Sequence, residues 1–283
     1  MHNFEDYIKS NVPKLNSFHP YYEEAIEYIL TSGGKRFRPL LLCSVVKAYE
    51  PLLLESSYQV ALAVEALHTY SLIHDDLPSM DNSPLRRGVE TLHVKYNIAT
   101  AVLVGDALNT YSFELIATSA FRDDVKVELT KLLAQNGGLG GMVLGQAIDL
   151  EFENKPLSIK EVEILHINKT AKLIAASLVM GAVIVGLDSK IKDRLYQFGL
   201  DLGLLFQVQD DILDATQSKE NVGKPTGFDK DKNSFINILG LKESIIYADR
   251  LAESLKIEFK DFDSKLQEAL APLIDKYLYR HKG

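Results

Sequence analysis

Residues 56–81 read SSYQVALAVEALHTYSLIHDDLPSMD. Apolar side chains recur there at three- and four-residue spacing, the period of an α-helix, and they crowd most of its circumference. A helix buried on several sides is therefore predicted over Ser56–His74. Its end changes character abruptly. Asp75 and Asp76 follow the apolar run, Pro78 lacks the amide hydrogen needed to continue a helix, and Asp81 falls in the loop beyond. Carboxylates avoid apolar helix ends unless they are paired or bound to metal. Asp81 is placed to fold back toward Asp75, which itself follows His68 and Ser71 on one helical stripe.

The same pattern returns at residues 206–214, FQVQDDILD, after the apolar LGLL. Successive helical residues turn by about 100°, so Asp210 and Asp214 lie about 40° apart and one turn along. Their carboxylates can converge on one ion. Clustered acidic oxygens that leave coordination positions open suit Mg²⁺, which keeps waters and shares phosphate oxygens with a substrate. A solvated charge run or a helix cap explains either cluster alone. It explains two clusters on separate apolar helices poorly.

Working outward, helical periodicity covers almost the whole chain. Helices are predicted at Tyr21–Leu30, twice within Thr91–Ala120, and at Val125–Gln135, Met142–Phe152, Ile159–Val185, Ile191–Ala215 and Asp249–Phe259. Glycines and prolines cluster between them, at Ser32-Gly33-Gly34, Asn136–Gly141 and Gly223–Gly227, and read as turns. Alternating strand patterns are scarce, and no linker divides the chain. The expected fold is all-α, one domain over residues 1–283 with about ten or more helices.

Composition agrees. The chain is 46% hydrophobic and 25% charged over 283 residues, enough for a large core. Its formal charge of -8 disfavours nucleic acid and anionic membrane as partners, so any anion must be held by a local basic cluster. Cys43 is the single cysteine, which rules out an internal disulfide and fits a reducing compartment. The N-terminal residues show no signal peptide. The apolar run Leu173–Leu187 is shorter than the roughly 20 residues that span a bilayer, and reads as a core helix.

Two basic groups stand out. SGGKRFRP supplies Lys35, Arg36 and Arg38, and Arg86-Arg87-Gly88 follows Asp81 closely. Arginine grips phosphate oxygens bidentately and lysine acts as a point charge. Each group alone is also what a solvated surface offers. Arg86-Arg87 gains weight from its acidic neighbours, because aspartates need cations between them and a diphosphate. Lys169, Lys224, Lys230 and Lys232, taken singly, read as solvated lysines. Gln146 and Asp149 share a helix face, either to orient a metal-bound water or as a satisfied polar pair. NGGLGGMVLG does not fit GxGxxG, GKPTG lacks P-loop spacing, and no HExxH or GxSxG occurs, so dinucleotide, P-loop, zinc and serine-hydrolase chemistries are not expected.

Taken in order, GGKRFRP, HTYSLIHDDLPSMDNSPLRRG, GGMVLGQAIDLE, HINKTAKL and FQVQDDILD resemble the trans-isoprenyl diphosphate synthases, specifically the bacterial farnesyl diphosphate synthase type. The resemblance covers nearly the whole chain. It implies an isoprenoid synthase-type helical bundle around a central cavity, a homodimer in the cytoplasm, and three Mg²⁺ ions when substrate is bound. Metal would be held by Asp75 and Asp81 with Asp76 supporting, and by Asp210 with Asp211 and Asp214 in its hydrogen-bonded shell. The allylic diphosphate would meet Arg86, Lys169, Thr170, Gln207 and Lys224. Isopentenyl diphosphate would meet Lys35, Arg38, His68 and Arg87, and the basic Arg280-His281-Lys282 would help cover the site. The implied reaction is ionisation of the allylic diphosphate, head-to-tail condensation and proton loss, with diphosphate as the base. Tyr70, five residues before Asp75, would floor the cavity and stop growth near fifteen carbons. Rival readings are a twenty-carbon synthase, a class I terpene cyclase and a non-catalytic synthase subunit. Both aspartate clusters and GGKRFRP are intact, which counts against the last two.

Overall fold

The computed structural model describes residues 3–216 and 233–282. Lys224, Lys230 and Lys232 lie outside them. The helices are α1 (Phe4–Ser10), α2 (Tyr22–Thr31), α3 (Phe37–Tyr49), α4 (Leu54–Asp75), α5 (Leu92–Lys95), α6 (Ile98–Ala117), α7 (Asp123–Gly137), α8 (Met142–Glu151), α9 (Ile159–His166), α10 (Lys172–Ile184), α11 (Ser189–Thr216), α12 (Phe235–Leu239), α13 (Leu241–Lys260) and α14 (Ser264–Leu278). The only strands among the described residues are a two-residue hairpin, β1 (Leu85–Arg86) with β2 (Val89–Glu90). The fold is all-α, as the periodicity implies.

The innermost helix is α10, whose residues from Leu173 to Ile184 are all buried. It packs on α3, α4, α7 and α11, while α6 covers α4, α13 covers α11 and α14 covers α3. The run Ile159–Ile184 is long and apolar enough to cross a membrane by length and composition, but 78% of its most apolar 18-residue stretch is buried inside the bundle. It is a core element. The predicted single helix over Ile159–Val185 is instead interrupted by a π turn at Ile167–Ala171. Four helices, α1, α3, α12 and α14, lie outside the predicted segments. Along α3, Leu41, Leu42, Val45 and Val46 are all buried, so no polar stripe marks its faces. Pro39 is tolerated because it sits in the first turn, where amide hydrogens have no partner within the helix.

All the motif-bearing ends meet at one pole. The C-terminal ends of α4 and α11, the π turn and α8 come together there, as the contacts below show.

Candidate active site

The first cluster is built where Pro78 forces α4 to stop. The chain doubles back, and the Asp81 amide donates to the Asp75 carbonyl at 2.9 Å. Asp75 is half-buried and Asp81 exposed. Arg86 on β1 reaches across, its Nε donating to both Asp76 oxygens at 2.8 Å and its Nη2 lying 2.6 Å from Asp76 and 3.5 Å from Asp75. Asp76, expected to support Asp75 and Asp81, does so here by holding Arg86 beside them. Asp76 is buried, and both its oxygens are occupied in holding Arg86.

Asp75 is steered from α8. Gln146 Nε2 donates to its Oδ1 at 2.5 Å. Asp149, one turn on, takes Lys169 at 2.6 Å, and Lys169 stands 3.9 Å from Asp75. Gln146 and Asp149, left open by the sequence, thus orient two of the predicted site residues. Lys169 and Thr170 both lie in the π turn, and π turns are commonly found at functional positions. Gly145 makes the approach possible, since a Cβ there would overlap the Lys169 backbone.

A hydrogen-bond chain continues to the second cluster. Thr170 Oγ1 donates to Gln207 Oε1 at 3.2 Å, and Gln207 Nε2 donates to Asp211 Oδ1 at 3.1 Å. The Phe235 amide donates to Asp211 Oδ2 at 2.8 Å. Burial pushes the Asp211 carboxyl up to about 7, against the lowering pull of those two donors. Both Asp211 oxygens thus accept hydrogen bonds, one from Gln207 on the same helix and one from the α12 backbone. Asp210 is half-buried and Asp214 exposed. Asp210 Oδ1 accepts from Arg280 Nη2 at 2.5 Å.

The basic side faces Asp210 across Phe206. Lys35 Nζ lies 5.5 Å from the centre of that ring, and the Arg280 guanidinium lies 4.0 Å from it. Burial pushes the Lys35 ammonium below its ordinary value, with Arg280 adding to the shift and Asp210 opposing it. Arg38 Nη1 lies 3.2 Å from His68 Nε2. Arginine has only donors, so Nε2 accepts and the imidazole proton sits on Nδ1. Burial and then Arg38, Arg87, Arg86 and Arg36 hold His68 well below its usual value, so the ring is neutral. The Arg38 Nε and His68 Nδ1 are buried without partners. Two buried donors left unpaired beside several arginines are what an anion would satisfy.

Arg87 reaches this group through strain. It has φ of 56° and Gly88 has φ of 79°, which together make the two-residue turn of the hairpin. Its guanidinium donates to the Gly33 carbonyl at 2.6 Å, and lies where any Cβ on Gly34 would clash. Arg36, grouped with its neighbours by charge alone, faces away. It is buried, donating to Glu5 and Glu65 at 2.7 Å and to the Leu30 carbonyl at 2.8 Å. It anchors the loop so that Lys35 and Arg38 point the other way.

Sequence comparison bears directly on this arrangement. A family model described as polyprenyl synthetase matches residues 19–272. The chain belongs to that family. Among relatives of this polyprenyl synthetase, farnesyl diphosphate synthase of Micrococcus luteus is 41% identical over 255 residues, covering 86% of each chain. A chloroplastic geranylgeranyl pyrophosphate synthase of Capsicum annuum is 40% identical, covering 91% of this chain and 71% of its own. A geranyltransferase of Helicobacter pylori, solved with magnesium and isoprenyl diphosphate, superposes with a TM-score of 0.93 at 48% identity, covering 96% and 93% of the two chains.

The synthetase's carboxylates fit a hard cation. Asp75 and Asp210 are each oriented by a donor on one oxygen, as second-shell partners orient metal ligands. No three carboxylate, imidazole or thiol groups converge on one ion among the described residues. Mg²⁺ keeps waters and shares substrate phosphate oxygens, so a few carboxylates suffice to hold it. Gln209 and Phe235 are parts of this site that the sequence does not mark, and Arg280, expected only to cover it, binds Asp210 directly. Only the basic character of Arg280 gave a signal in the sequence.

One buried titratable group lies just behind. His166 has both ring nitrogens buried without partners and stacks on Phe235 at 5.6 Å. Burial lowers its ordinary value to about 4, with Asp149 opposing and Lys169 adding to the shift. Its folded value lies below its unfolded one, so the associated stability is present above pH ~6.5 and lost as pH falls toward 4. His166→Phe is expected to remove that loss, roughly 3 kcal/mol in order of magnitude. Urea unfolding at pH 7 and pH 4.5 measures it; equal pH dependence in the two proteins would contradict the assignment.

Proposed function

We propose that this protein condenses isopentenyl diphosphate with an allylic diphosphate, as a farnesyl diphosphate synthase. The observation that carries the reading is the pair of braced aspartate clusters, Asp75 held by Gln146 beside Lys169 and Asp211 held by Gln207 with Thr170 behind it, together with the separate unpaired donors Arg38 Nε and His68 Nδ1. One diphosphate fits between the aspartate clusters and the other against Arg38, His68, Lys35 and Arg87. A terpene cyclase has no use for the second grip.

Asp75 and Asp81 on one side and Asp210 on the other would hold magnesium, which when bound would supply positive charge to the departing diphosphate. Lys169 and Arg86 add fixed positive charge beside that oxygen cluster. The allylic C–O bond breaks with its electron pair going to diphosphate. The isopentenyl double bond, fixed by Arg38 and the His68 Nδ1–H, then attacks the allylic carbon. The proton lost next passes to the departed diphosphate; among the described residues no carboxylate or imidazole is assigned that task. Thr170 and Gln207 keep the departing group aligned.

Tyr70 sets product length in this account. Its ring is buried, edge-on to His74 at 5.6 Å, about 7–8 Å down α4 from Asp75 at 1.5 Å per residue. Tyr70→Ala is expected to shift the main product from fifteen carbons to twenty or more, sized by mass spectrometry. An unchanged fifteen-carbon product would remove Tyr70 as the floor, and a wild-type twenty-carbon product would favour the geranylgeranyl alternative.

The protein acts in the cytoplasm as a homodimer with three Mg²⁺ ions per loaded site. Ile98 and Leu103 on α6 are 54% and 57% exposed, apolar surface on one helix that suits a second copy. Sedimentation equilibrium at micromolar concentration tests it.

A further inference from the structure

The turn 278–282 is fastened to the second aspartate cluster by a residue that no part of the proposed mechanism uses. Gln209 is fully buried on α11, next to Asp210 in sequence. Its amide is saturated from that turn alone. Nε2 donates to the Leu278 carbonyl at 2.9 Å and lies 3.0 Å from His281 Nδ1, while Oε1 accepts from Arg280 Nε at 3.0 Å. His281 is clamped from the far side by Asp249 on α13 at 3.1 Å, and Lys282 reaches the same carboxylate at 2.7 Å.

Arg280 is consequently fixed at both edges. Gln209 holds its Nε, and its Nη2 donates to the Phe206 carbonyl at 2.7 Å and to Asp210 Oδ1 at 2.5 Å. Its flat face rests on the Phe206 ring. A guanidinium held this way has no freedom to swing, so it dictates the rotamer of the carboxylate it binds. Asp210 Oδ2 carries no hydrogen bond among the described residues, and is the oxygen left for a cation.

We propose that Gln209 is a positioning residue for metal binding, acting through Arg280 to present Asp210 Oδ2 to magnesium. The inference rests on the reading of Asp210 as a metal ligand given above. It is distinct from a role for the 278–282 turn in covering substrate, because it predicts an effect on magnesium with no isoprenoid present.

Hydrogen-bonded partners of metal ligands contribute about 10–100-fold in metal affinity. The test titrates Mg²⁺ into the full-length protein at fixed inorganic pyrophosphate, following the rise in melting temperature. Gln209→Leu and Arg280→Met are each expected to raise the Mg²⁺ midpoint about tenfold or more, and Arg280→Lys to recover part of the loss. Arg280→Met removes the same contact without burying a new group beneath α11, so the test stands if Gln209→Leu fails to fold. A purely structural turn would lower the metal-free melting temperature and leave the Mg²⁺ midpoint unmoved, which overturns the proposal. A lowered midpoint also overturns it, since Arg280 would then be competing with the metal. A wild-type protein that shows no Mg²⁺ response with pyrophosphate would instead remove the metal-site reading itself.

Discussion

Asp75→Asn is expected to lower turnover by on the order of 10³-fold with the fold intact. The substitution is isosteric and sits at the last residue of α4, so packing is unchanged. What it removes is a charge, in a place where three other groups are arranged around it. Gln146 donates to Oδ1 at 2.5 Å, Arg86 lies 3.5 Å from Oδ2 and Lys169 lies 3.9 Å from Oδ1. An amide there presents NH₂ hydrogens toward donors, and loses the anionic oxygen a magnesium ion needs. Removing one fixed electrostatic contributor in a water-excluded site costs about 10²–10³ in rate; a metal ligand belongs at the upper end of that range. Steady-state rates across Mg²⁺ concentration give the measurement. The loss should persist at saturating geranyl diphosphate, because the missing interaction is made as the leaving group departs. A rate within threefold of wild type would contradict the role given to Asp75.

Arg38→Met is expected to act on the other half of the site. The Arg38 Nε is buried without a partner, and so is the His68 Nδ1–H beside it. Burial lowers Arg38 to about 10, with Glu65 opposing, and it remains a cation at neutral pH. Deleting one member of a buried charged hydrogen-bonding pair costs about 2–5 kcal/mol. At 1.4 kcal/mol per tenfold, that is a rise of about a hundredfold or more in KM for isopentenyl diphosphate. The KM for geranyl diphosphate should stay within a few fold, since that substrate is assigned to the aspartate side. Equal losses for both substrates would show that Arg38 supports the bundle rather than one diphosphate.

These expectations rest on features that were unequally visible in the sequence. The apolar period through Val60–Ile73, broken by Asp75-Asp76 and Pro78, fixed both a buried helix and the place where it ends. The doubling-back of Asp81 followed from proline chemistry. Charge, by contrast, does not reveal direction. Arg36 lies between two site residues in GGKRFRP, yet it is buried against Glu5 and Glu65, because its left-handed backbone at φ 45° turns it opposite to its neighbours. Asp76 reads like Asp75 but belongs to Arg86. The π turn at Ile167–Ala171 is not legible in the sequence, since INKTA contains no glycine or proline to mark an inserted residue. Gln209 and Arg280 are 71 residues apart, and nothing local to either foretells that contact.

The most direct measurement supplies purified protein with geranyl and isopentenyl diphosphates, with Mg²⁺ and then with excess EDTA, and follows chain length by mass spectrometry alongside released pyrophosphate. A fifteen-carbon diphosphate and one pyrophosphate per five-carbon unit added are expected, both abolished by EDTA. Pyrophosphate release without chain growth, or no reaction with both substrates and Mg²⁺ present, would contradict it.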